Sequence, residues 1–366
     1  MRYLTYNCTT HESLTLRVFL FIACAFLFES KAQENSIRTV RDAYLSIATD
    51  ARAAGQGDIG VATSADAFSQ FWNPSKYIFS EKKSEIGITQ IFTNSNDSSG
   101  YSQLNLIFYN KLDDRSAYAI STRNYSLSFD DFTGFGTSYN TNELAIDGSY
   151  SLRLSEVFAM SVGGRFISLN NKVALVEGSG FGASSSLYGI DVSGFYYGSE
   201  IGYKKFIGRW RAGFNFSNLR GKSSDDIEAA EIYAPSILKV GVGFDFIFDQ
   251  DNQLGITSEY KMLLDSYTEN DSGEELNFGI KGSVMALGLE FTYLEKATLR
   301  TGYSQGINRP TDTFASLGMG LQSRYVDLDI AFLFGLSYQE NPIRNKLRLS
   351  LGLDLDEVFS NGKNQF

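Results

Sequence analysis

The side chains best suited to chemistry are scarce in this chain and gathered in the wrong place. Two cysteines and one histidine occur among 366 residues. They are Cys8, His11 and Cys24, all ahead of residue 33. That stretch reads as a secretory signal over 1–32. Arg17 precedes the apolar run Val18–Phe28, and Ser30-Lys31-Ala32 supplies small residues for cleavage after Ala32. The run is too short to cross a bilayer as a helix. The mature chain then carries neither thiol nor imidazole. Disulfides, thiolate or imidazole metal sites, Cys nucleophiles and Ser-His-Asp triads are all excluded. Acid clusters remain. Asp130-Asp131 and the group Asp225, Asp226, Glu228 and Glu231 have the oxygen ligands that Ca²⁺ takes, but a solvated acidic loop explains them better. Gly55-Gln56-Gly57 lacks the Lys and the helix of a phosphate loop. No catalytic residue, metal site or cofactor is expected, and the chain is not expected to be an enzyme.

Other charges have a positioning role open to them. Asp50, Arg52, Asp58 and Asp66 lie in a small-residue-rich stretch. They are candidates to pair with Arg153, Arg165, Arg211 and Arg348 in the strands downstream; a solvated set with no fixed pairs is the alternative. Asn73-Pro74 is placed to end that stretch and set its passage into the first strand, since Pro fixes φ and Asn tolerates turns.

The elements that would hold these residues follow from a period of two. From about residue 84 the sequence alternates almost to the end. Leu144, Ile146, Tyr150, Leu152 and Leu154 oppose Asp147, Ser149, Ser151 and Arg153. Leu347, Leu349, Leu351, Leu353 and Leu355 oppose Arg348, Ser350 and Asp354. The same pattern runs through 210–217, 238–248 and 325–334. A one-residue slip would invert each set, so the facing is strongly specified. About fourteen such strands can be placed, with no helix able to cover an apolar layer, so each apolar face must meet lipid.

The connections support the same reading. Short turns near 113–115, 155–156, 249–252, 295–296 and 322–324 alternate with longer polar links. The links lie near 94–101, 128–142, 170–187, 218–235, 264–284, 304–312 and 335–345. That is the asymmetry of an outer-membrane barrel, with short periplasmic turns and long outer loops. Thirty-four Gly, 21 Tyr and 29 Phe suit such a wall. The predicted fold is an all-β, transmembrane antiparallel barrel of about 14 strands over 84–355. An N-terminal hatch over 33–83 precedes it and a tail over 356–366 follows. Aromatics in the long links, among them Phe132, Phe135, Tyr139, Phe181 and Tyr233, are candidates to anchor a protein partner. Girdle or mouth-covering roles are the alternative. The formal charge is −10, and removing the signal's net +1 leaves −11. So acidic a chain does not favour nucleic acid.

Residues Leu45 to Tyr77 carry a resemblance. The run LSIATDARAAGQGDIGVATSADAFSQFWNPSKY is similar to the N-terminal signature of the PorV family, outer-membrane barrels of the type IX secretion system. That family shares its fold with FadL fatty-acid channels, whose hatch also carries an Asn-Pro motif, here Asn73-Pro74. The resemblance implies a plugged barrel in the outer membrane, with Asp50, Arg52, Gly55, Gly57, Asp58, Asn73 and Pro74 in the hatch. It further implies a shuttle that meets the large translocon barrel, binds cargo by its C-terminal signal domain and delivers it to the surface attachment, or sortase, complex. Besides these partners, outer-membrane lipid is expected to surround the wall. Two rivals stay open: a FadL-type passive channel for hydrophobic small molecules, and a lipopolysaccharide deacylase. The lack of His makes the second hard to build.

Overall fold

The computed structural model describes residues 49–92, 99–129, 138–174, 180–220, 236–264, 283–307, 313–336 and 347–360. The expected signal, residues 33–48, both acid clusters, Phe132, Phe135 and Tyr233 lie outside the described residues.

Fourteen long strands form the wall. They are β1 (Ser84–Phe92), β2 (Ser99–Lys111), β3 (Ser116–Phe129), β4 (Ser138–Ser155), β5 (Phe158–Ala174) and β6 (Gly180–Tyr197). After a two-residue piece, β7 (Ile201–Gly202), come β8 (Ile207–Arg220), β9 (Ile237–Ile247), β10 (Asn252–Leu263) and β11 (Ser283–Tyr293). The last are β12 (Ala297–Ile307), β13 (Phe314–Gln322), β14 (Val326–Gly335) and β15 (Leu347–Asp354). Each long strand pairs antiparallel with its neighbours in sequence. β1 also pairs with β15 and β6 with β8, so the cylinder closes and no edge is left for aggregation.

The wall is inside-out relative to a soluble protein. Leu299 and Leu321 are 61% and 60% exposed, while Arg348 is 1% exposed. Leu144, Ile146, Tyr150, Leu152 and Leu154 face outward; Asp147, Ser149 and Ser151 are buried inside. The alternation forces this, because every strand has one face toward lipid and one toward the lumen.

The wall is taller on one side. β4, β5 and β6 have 18, 17 and 18 residues, against 9 in β1 and 8 in β15. A tilted strand needs only about 9–11 residues to span the hydrocarbon, so these hairpins project beyond it. Tyr139 and Phe181 therefore sit in strands β4 and β6, not in loops: Tyr139 pairs with Val173, and Phe181 also pairs with Val173. The links expected at 128–142 and 170–187 are shorter than the polar composition implies, because ladder pairing continues into them. The connection at 198–206 is absent from the expected turns and links. There β7 folds back on β8 as a small ribbon. At the far end, a short helix, Leu355–Ser360, follows β15 directly.

Candidate functional site

Residues 49–83 build a polar site inside the wall. Helix α1 (Ala51–Gly55) starts it. Asp50 caps α1 by accepting from Ala53 N at 2.8 Å, which satisfies an otherwise orphaned amide. Its other oxygen accepts from Trp72 Nε1 at 2.7 Å. Two 3₁₀ turns follow, η1 (Ala67–Phe71) and η2 (Pro74–Phe79). Asn73-Pro74 opens η2 and does not close the segment, contrary to the expectation from sequence. Pro74 fits the first turn, where no amide is needed. Asn73 accepts from Ser75 N at 3.2 Å and donates to Val61 O at 3.0 Å and Gly194 O at 2.9 Å. That last bond reaches β6.

The segment touches the inward face of the wall on many sides. Ala51 N donates to Ser350 Oγ at 2.7 Å, and Asn105 Nδ2 donates to Thr49 O at 3.3 Å. Gly60 N and Val61 N both donate to Glu259 Oε2 at 2.9 Å. Ser151 Oγ donates to Pro74 O at 2.9 Å. Arg211 Nη1 donates to Ala62 O at 2.7 Å. Apolar contacts accompany these: Ala51, Ala54, Ala67, Phe68, Phe71 and Trp72 cluster with Ile107, Phe314, Ala331 and Leu333 of the wall. Tyr77 stacks on Tyr109 with ring centroids 4.1 Å apart.

Glycines on both sides let backbone meet backbone closely here. Gly57 has φ +84°, a left-handed conformation natural to Gly, and lies against the Tyr303 main chain. A Cβ on Gly302 would fall 2.1 Å from the Gln56 carbonyl carbon. Gly55 likewise lies against Gly318, where a Cβ would come within 3.0 Å of the Gly318 Cα. The Gly55-Gln56-Gly57 run is thus a close-approach surface for β12 and β13.

The charges pair differently from the simplest sequence expectation. Asp58 meets Arg348 at 3.3 Å, as a wall partner should. Arg52 finds an acid on the wall: its Nε and Nη2 bind both oxygens of Glu290 at 3.0 and 2.9 Å. Its Nη1 binds Asp66 at 3.0 Å. Asp50 and Asp66 therefore serve groups within the segment, not wall arginines. Arg300 extends the chain of charges, binding Glu290 at 2.7 Å and Asp329 at 2.5 Å. Arg165 is used inside the wall, by Asp147 and Asp191, and Arg211 pairs with Asp245 at 2.7 Å. Arg153 pairs with none of the segment's acids.

Burial shapes the segment's own groups. It works against the Arg52 charge, but Glu290 and Asp66 outweigh it and hold the guanidinium well above its ordinary value. Burial, with Asp66 nearby, pushes Asp50 up to about 6. Burial pulls Lys76 down to about 8; its Nζ donates to Gly60 O at 2.8 Å and Thr63 Oγ1 at 3.0 Å. Lys76, Glu259 and Glu290 are ties that sequence reasoning missed. Alternation does place Glu259 and Glu290 inside, but nothing local names their partners. Among the described residues no group of His, Cys, Asp or Glu is arranged to hold a metal ion. The arrangement fastens the segment to the wall.

Solved structures similar in fold include transporters and channels of aromatic hydrocarbons. The *Ralstonia pickettii* toluene transporter TbuX is 10% identical, with a TM-score of 0.51 over 84% of this chain and 97% of its own. The CymD monoaromatic hydrocarbon channel is 12% identical, with a TM-score of 0.53 over 85% and 98%. The *Pseudomonas putida* toluene transporter TodX is 12% identical, with a TM-score of 0.52 over 85% and 99%. At such identities they show the barrel fold alone. No curated protein matches in sequence. The profile of the family described as "Type IX secretion system protein PorV" matches residues 29–269, well over half of the chain. The chain is a FadL-like β-barrel of the outer membrane, and it belongs to the PorV family of type IX secretion system proteins.

Proposed function

We propose that the protein is a binding and shuttle component of type IX secretion. It takes cargo by the C-terminal signal domain at the large translocon barrel and passes it to the surface attachment complex. The family match over 29–269 carries this reading. In it, residues 33–83 form a hatch, and transport does not pass through the lumen. The fastening of 49–83 to the wall supports that part, since Arg52, Asp58 and Asn73 bind wall groups and Gly57 lies against the Tyr303 main chain. The outer loops then hold the cargo domain, and no bond is made or broken. Phe132, Phe135 and Phe181 are the rings proposed to seat it, with Tyr139 and Tyr233 beside them. Burying one such ring contributes about 1.5–3 kcal/mol.

Replacing Phe132, Phe135 and Phe181 together by Ser tests the reading. The expected result is a folded barrel in the outer membrane that no longer co-purifies with cargo, and secreted proteins held in the periplasm. Normal secretion and co-purification would remove these rings as the docking surface. A deletion strain that secretes normally but fails to take up long-chain fatty acids would replace the shuttle by a passive channel.

A further inference from the structure

The short-turn end of the lumen holds a second polar feature, separate from the charges that fasten 49–83. A cleft of about 570 Å³ opens between the end of η2 and the turns joining β2–β3, β4–β5 and β6–β8. Its lining holds the cations Lys111, Arg153 and Arg209 and, in equal number, the acids Asp114, Glu156 and Glu200. Its size lies within the range of about 300–1,000 Å³ common to ligand pockets.

The cations here are incompletely answered. Lys111 Nζ donates to a main-chain carbonyl, Ser80 O, at 2.8 Å. Arg153 donates to two more carbonyls, Asp114 O at 3.5 Å and Glu156 O at 3.2 Å. Its guanidinium lies 5.3 Å from the centre of the Phe79 ring, and its buried Nε–H has no partner. Among the described residues, neither cation has a carboxylate within ion-pair distance. Glu200, an acid of the lining, is taken by Arg209. The Asp114 and Glu156 residues offer their carbonyls to Arg153, not their carboxylates.

We propose that this cleft binds a carboxylate-bearing peptide segment presented from the periplasm. A guanidinium fork beside an ammonium matches a carboxylate, and the pairing is stronger where the groups are partly shielded from water. The chain's net charge is −10, so its overall field repels an acidic ligand; the attraction has to be local. Lys111 and Arg153 share the inward faces of β2 and β4 with the buried Tyr109 and Ser151. A lipid headgroup outside the wall therefore does not reach them. The site is at the opposite end of the barrel from the loops proposed to seat cargo, so the two readings fail separately.

The test uses the full chain in detergent and a fluorescein-labelled hexaglutamate amide, read by anisotropy. Wild type is expected to bind, and Lys111→Gln/Arg153→Gln to bind about tenfold or more weaker. Arg153→Lys should retain part of the affinity. Heat-modifiable migration on a detergent gel confirms that each variant is folded, and the two single variants replace the double one should it fail that check. No binding by wild type, or undiminished binding by the folded variants, overturns the proposal. Equal displacement by inorganic phosphate makes the cleft a general anion site and overturns the peptide assignment.

Discussion

Two sets of buried or half-buried cations occupy the same lumen and are treated differently. In the middle, Arg52, Arg300 and Arg348 each meet a carboxylate. At the short-turn end, Lys111 and Arg153 meet main-chain carbonyls and, for Arg153, the Phe79 ring, but no carboxylate among the described residues. The residue types are the same, so type does not separate structural charge from available charge. What separates them is whether an acid stands opposite. A matched pair inside a narrow lumen is costly to break, because the survivor is left unpaired away from water. A cation that meets only carbonyls and a ring leaves no acid unpaired when it is removed, so its loss costs less.

The largest effect should come from Glu290, which serves Arg52, Arg300 and Gln56 together. Glu290→Ala should lower barrel stability by about 3–5 kcal/mol in urea titrations from lipid vesicles. A loss below about 1 kcal/mol would mean these charges are solvated and do not fasten the segment. Next is the outer face. Phe214→Arg or Leu351→Arg should cost about 2–4 kcal/mol near the bilayer midplane, measured the same way; tolerance of both would show that the strands face the other way. The smallest effect is predicted at the rim, where Lys111→Gln should change stability by no more than about 0.5 kcal/mol. A cost comparable to that of Glu290→Ala would erase the contrast between the two ends.

Much of the wall was legible in the sequence, and the reason is local. Leu347 to Leu353 and Arg348 to Asp354 alternate, and lipid on one side with a polar lumen on the other gives the alternation only one solution. The fastening was less legible. The sequence puts Asp58 and Arg348 in the two candidate sets but does not say which acid meets which arginine. Arg52 with Glu290 is not among the candidate pairs, because alternation places Glu290 inside without naming what it faces. Asn73-Pro74 reads locally as a stop, yet it starts η2, since the Asn73 side chain can cap a turn and bind β6 at once. Tyr139 and Phe181 read as loop residues because their neighbours are polar, but ladder pairing extends the hairpins past the membrane. The connection at 198–206 contains Gly198-Ser199 and Gly202, but the short β7 inside it hides the turn in the run of strand-like residues.

The central claim is that residues 49–83 are a fixed closure and that cargo is handled outside the lumen. A disulfide tests this most directly. A Cβ at Gly352 would lie 3.8 Å from the Ala67 Cβ, the mean Cβ separation of natural disulfides, about 3.8 Å. Ala67→Cys/Gly352→Cys therefore ties the segment to β15 with little distortion, in a chain whose own cysteines, Cys8 and Cys24, lie in the expected signal. The measurement is secretion of type IX cargo from cells in which cross-linking is driven to completion. The account predicts secretion at the wild-type level, oxidised or reduced. Secretion that stops on oxidation and returns on reduction would show that the segment must move, and would contradict it.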